Sequence, residues 1–94
     1  MARRAYRNPT SNIERQALVA LQQDIIRQIN DRIDLLELSL AQVSELVYGS
    51  NDQQTAINKL LSGEGNPTLI TLLRYSHALN CTLKINLEPK KDRG

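Results

Sequence analysis

The chain has 94 residues, a net charge of +2, neither Phe nor Trp, and three tyrosines, Tyr6, Tyr48 and Tyr75. That length supports one domain with a single core built from Ile, Leu and Val, and no apolar run approaches the ~20 residues a membrane helix needs. One cysteine, Cys81, excludes an intramolecular disulfide framework, and with His77 as the single histidine there are too few soft ligands for a structural zinc.

Charge is distributed unevenly. Arg3, Arg4, Arg7 and Arg15 against Glu14 make residues 1–15 basic, whereas Asp24, Asp31, Asp34, Glu37 and Glu45 outweigh Arg27 and Arg32 over 16–50. The stretch 51–94 is again basic. The opening "MARRAYRNPT" lacks the apolar stretch of a signal peptide, so a cytoplasmic protein without membrane or cofactor is expected. Residues 1–10 read as a basic flexible arm, either solubilising or in contact with phosphates or a groove.

The first helix starts after Pro9, where Ser11 and Glu14 have the spacing of a capping box. Ile13, Ala17, Leu21, Ile25, Ile29, Ile33 and Leu36 then recur at helical spacing, with Leu18 and Ile26 widening the stripe. No Gly or Pro interrupts residues 11–38. A helix of about 25 residues would be ~37 Å long, so it either projects from the globule or breaks near Gln22–Asp24. In both cases its first half needs a cover other than the small core, and a partner subunit is the candidate.

Ser39 caps a short second helix with Gln42 as box partner, Val43, Leu46 and Val47 as apolar face, and a stop at Tyr48-Gly49. After "GSND", Asn51 or Asp52 caps a third helix that runs to about Leu61 and stops at Gly63. Asn66-Pro67 opens a fourth, with Leu69, Leu72, Leu73, Tyr75 or Ser76, and Leu79 facing inward and Asn80 as C-cap. The period then changes to two. Leu83, Ile85 and Leu87 alternate with Thr82, Lys84 and Asn86 until Pro89 and the charged 89–94 tail. A lone strand over 81–88 has no mate within a helical chain, so it is expected to dimerise through Leu83, Ile85 and Leu87; a loose tail is the alternative.

Two short helices joined by a turn and braced on both sides have the layout of a helix-turn-helix, here at about 39–62 within a helical domain of 11–80. Base reading from the first turn of the third helix would fall to Gln53, Gln54 and Thr55, with Asn58 on the same face and Lys59 beside it. Gln suits the task because its amide pairs with adenine N6 and N7. Ile57, Leu60 and Leu61 lie on the other side and anchor the helix. Phosphate contacts fall to Ser39, Gln42 and Ser50, and to the arm residues Arg3, Arg4 and Arg7. A solvated polar helix end is the plain alternative for the glutamines.

The run "LSLAQVSELV" followed by "TAINKLLSGEGNPTLITLLRYSHALN" resembles the Cro/C1-type (XRE) helix-turn-helix family. The resemblance covers about residues 25–80. Its points are Leu38-Ser39, Val43-Ser44-Glu45, Ile57, Gly63 six residues later, and Asn66-Pro67-Thr68-Leu69. The turn "YGSND" is longer than the family's, and Leu61 stands where an acidic residue is usual. "CTLKINLEP" is similar to the HigA- and HipB-like antitoxin branch, where a terminal strand pairs in the dimer. The resemblance implies a mainly α, four- to five-helix domain with a long N-terminal helix and a C-terminal β-strand paired in a homodimer. It further implies a repressor that binds double-stranded DNA at an inverted repeat and a toxin protein as partner. An enzyme is not expected, because His77 and Cys81 have no catalytic company and "GEG" lacks the Lys-Ser/Thr of a phosphate loop. A protein-interaction adaptor with weak or no specific DNA binding is the alternative.

Overall fold

The computed structural model describes residues 12–89. Ser11, the arm residues Arg3, Arg4 and Arg7, and the end of the charged tail therefore lie outside the described residues. Four helices follow in order: α1 (Asn12–Leu35), α2 (Leu40–Tyr48), α3 (Gln54–Leu61) and α4 (Leu69–Ala78). α2 packs on α3 and α4, and α1 crosses both α3 and α4. The chain is mainly helical, as expected.

α1 does not break. Its 24 residues run as one helix, ~36 Å at 1.5 Å per residue, and only its second half enters the core. Ile25, Ile29 and Ile33 join Val43, Ile57, Leu60, Leu72, Tyr75 and Leu79 in one cluster, while Ile13, Leu18, Val19 and Leu21 are open to solvent. Of the two sequence alternatives, projection is the one adopted. Gln22 marks the changeover, its amide donating to Asn66 Oδ1 at 2.6 Å and to the Pro67 carbonyl at 3.2 Å.

α1 ends without glycine. Glu37 sits at φ 56°, its N–H bonded to the Asp34 carbonyl and that of Leu38 to the Ile33 carbonyl, both at about 3 Å. α4 ends in the same double-bonded turn, with Asn80 at φ 62° and Cys81 N–H reaching the Ser76 carbonyl at 2.8 Å. Asn tolerates the left-handed conformation through its short polar side chain; Glu does so only at a cost of ~1 kcal/mol or more.

The capping box on α2 forms as expected: Ser39 N–H donates to Gln42 Oε1 at 2.8 Å and Gln42 N–H to Ser39 Oγ at 3.1 Å. Gly49, at φ 82°, closes that helix. Two expected core residues are corrected. Leu46 and Leu69 are exposed, because Val43 with half-buried Val47 already fills the inner face of α2, and Leu69 lies in the first turn of α4, ahead of Leu72. The start of α4 is corrected as well. Thr68 is its N-cap, accepting from Thr71 N–H, so Pro67 precedes the cap rather than opening the helix.

Tyr75 is fully buried at the centre, its ring edge-on to Tyr48 at 6.1 Å and the two hydroxyls 3.1 Å apart. Burial, and then the Tyr48 hydrogen bond, push the Tyr75 phenol well above its ordinary range. Among the described residues there is no β-ladder, so the expected strand over 81–88 is not formed within the single chain.

Candidate nucleic-acid interface

α2 and α3 are joined by residues 49–53, and the join is organised by one buried hydroxyl. Ser44, on α2, donates to the Ser50 carbonyl in a very short hydrogen bond and accepts from the Gln53 N–H at 3.0 Å. A single oxygen thus ties the first part of the turn to the residue that starts α3. The sequence expectation gives Ser44 no role in the turn. The signal was present in the spacing Leu40, Val43, Ser44, Val47, which places a polar residue on the inner stripe of α2.

The sequence candidates for capping α3, Asn51 and Asp52, do not cap it. Gln53 is the N-cap residue and makes no side-chain cap bond. Asp52 instead accepts from Ser50 Oγ at 2.5 Å and more weakly from Gln53 Nε2 at 3.4 Å. The Ser50 hydrogen bond, followed by a backbone amide and Gln53, holds the Asp52 carboxyl below its usual range, so it is ionised at neutral pH. The Ser50 hydroxyl, expected to meet a phosphate, is already engaged with this carboxylate.

Gln54, Thr55, Asn58 and Lys59 are all exposed, while Ile57 and Leu60 are buried beneath them. Spacings of three and four residues put the polar side chains on one outward face. Gln54 Nε2 lies 3.1 Å from the Asn51 carbonyl and Gln53 leans to Asp52, so both glutamines rest against the turn. With no side-chain cap, the N–H groups of Gln54, Thr55 and Ala56 begin the helix without an intrahelical acceptor. α2 offers a second set: the amides of Leu40 and Ala41, the Gln42 Nε2 donor and the Ser39 hydroxyl proton, since the box uses only Oε1 and the accepting side of Oγ.

Electrostatics work against an anionic partner here. Residues 38–65 contain Glu45, Asp52 and Glu64 against one cation, Lys59. Nearby on α1, Arg27 is engaged with Asp24 at 2.7 Å and Asp31 at 3.2 Å. Hydrogen-bonding donors, rather than net charge, are what this face presents.

Leu83, Ile85 and Leu87 lie apart from it. Leu83 is half-buried against the core, and Ile85 and Leu87 are exposed. His77 is exposed, and the Cys81 thiol donates to the Leu79 carbonyl at 3.6 Å. Among the described residues no group of metal-ligating side chains gathers, and no helix is long and apolar enough to cross a membrane. No protein-family model matches the chain, and no curated protein and no solved structure matches it.

Proposed function

We propose that the protein is a sequence-specific DNA-binding transcriptional repressor that inserts α3 into the major groove of an inverted-repeat operator as a homodimer. The observation that carries this reading is the face of α3. An uncapped N-terminus and the exposed Gln54, Thr55, Asn58 and Lys59 are presented on a helix pinned from behind by Ile57 and Leu60. Amide side chains at a first turn match base edges, and free helix amides match phosphate oxygens. Autoregulation as a type II antitoxin is a narrower form of the same reading, resting on the alternating 81–88 segment. A toxin-like gene beside its own separates it from a stand-alone repressor.

The test is selection of duplexes from a random pool, followed by binding titrations on the selected site. Gln54→Ala is expected to relax preference at one or two base pairs by ~1–3 kcal/mol. Lys59→Ala should weaken all sequences alike and lower the salt slope by about one. Equal binding to every duplex, unchanged by Gln54→Ala, sinks the reading. The acidic balance of residues 38–65 favours a second reading in that event, a protein-interaction adaptor with no specific DNA binding.

A further inference from the structure

Among the described residues two polar side chains are buried, Ser44 and Ser76, and they use their hydroxyls differently. Ser76 donates to the Leu72 carbonyl one turn back at 2.8 Å, the ordinary local bond of a serine inside a helix. Ser44 sends its proton out of α2 altogether, to the Ser50 carbonyl, and accepts the Gln53 N–H. The same two residues are gripped again from the solvent side, where the Asp52 carboxylate accepts from Ser50 Oγ and Gln53 Nε2. Residues 50 and 53 are thus held from beneath by a hydroxyl and from above by a carboxylate. Burial of Val43 and Ile57 keeps α2 and α3 in contact, but apolar contact is non-directional and leaves sliding and rotation between them open. Hydrogen bonds are directional, and those of Ser44 fix where α3 starts.

We propose that Ser44 is a positioning residue for base reading, its hydroxyl setting α3 against α2 so that both helices meet one duplex together. The inference rests on the DNA-binding reading above and adds the group that holds its two halves in register. Phosphate contacts orient a protein on the duplex, and base contacts specify the sequence. Here the first come from the Ser39 and Gln42 end of α2, and the second from Gln54, Thr55 and Asn58 on α3. A tilt between the helices lets either half engage alone but not both in register. Without the Ser44 hydroxyl the phosphate donors still work, and the base readers arrive misplaced. Discrimination between sequences therefore depends on Ser44, while sequence-blind binding does not. Asp52 is no substitute, because its exposed carboxylate grips Gln53 by the side chain, at 3.4 Å, rather than by the backbone.

Titrations of the wild type, Ser44→Ala and Ser76→Ala on the selected operator and on an unrelated duplex of equal length test it. Ser44→Ala is expected to weaken operator binding about tenfold, the order of one lost base contact, and to leave the unrelated duplex within about twofold. Ser76→Ala, a buried serine losing a local bond, should keep the wild-type ratio. Should Ser44→Ala not fold, Ser44→Cys, close in volume and a weak donor, carries the same expectation. In the free wild-type protein the Gln53 amide should exchange with deuterium more slowly than those of Gln54, Thr55 and Ala56, which lack an intrahelical acceptor. Equal losses on both duplexes overturn the proposal, since a merely destabilising change removes active protein for every sequence alike. So does a Ser76→Ala ratio that falls as far, or a Gln53 amide as fast as its neighbours. An unchanged Ser44→Ala ratio overturns it too, and leaves the repressor reading standing. A wild type that binds every duplex equally overturns the repressor reading and this proposal with it.

Discussion

The two halves of α1 have similar aliphatic content and different fates. Ile25, Ile29 and Ile33 are buried against α3 and α4, whereas Ile13, the second described residue, is 80% exposed. One uninterrupted helix thus serves as core on one side of Gln22 and as a solvent-exposed arm on the other. Helical periodicity announces a surface to be covered, while the cover itself is decided by what else the chain has to offer. The described residues offer three further short helices, enough for one half.

Substitutions of one chemical type put this contrast to the test. Ile29→Ala should cost ~2–5 kcal/mol in denaturant unfolding, and Ile13→Ala should stay within about 0.5 kcal/mol. Equal losses would mean that the outer half is covered too. The same inside–outside contrast recurs at the α2–α3 turn. Ser44→Ala strips the part-buried Gln53 amide and Ser50 carbonyl of their partner, and ~1–3 kcal/mol of lost stability is expected. On the exposed side of that turn, Asp52→Asn should have the smallest effect, a slight loss at neutral pH that vanishes in acid. The Asp52 carboxyl is held below its ordinary 3.8, so its contribution is fully present above that pH and disappears as pH falls through the lowered folded value. Solvent screening keeps it small. Acid unfolding of the variant should therefore lack the wild-type dependence in this window, and identical curves would show that the Ser50–Asp52 contact is idle.

Much of the fold was legible because local chemistry announced it. Ser39 with Gln42 and Gly49 bracket α2, Gly63 ends α3, and Asn80 marks the turn after α4. The errors have physical causes. Glu37 adopts a left-handed turn that glycine would have advertised, so the end of α1 carried no signal. Thr68 outcompeted Pro67 as the start of α4 because its hydroxyl reaches the Thr71 amide. Leu46 and Leu69 look like core by spacing and are exposed because a small molecule has too few layers to cover both sides of α2 and α4. At the candidate interface, the polar face of α3 could be read from the placement of Ile57 and Leu60. The engagement of Ser50 and Gln54 within the turn could not, since it depends on how residues 49–53 fold over Ser44.

Gln22 makes α1 a lever. Its amide clasps Asn66 and Pro67 at the approach to α4, and the arm beyond that fulcrum, back to Asn12, is ~15 Å of stiff helix. A load on the outer half would reach the loop between α3 and α4 through these two hydrogen bonds, beside the bond from Asn30 to the Leu61 carbonyl. Whatever grips the exposed end of α1 thereby gains a mechanical hold on the segment immediately following the helix that faces outward.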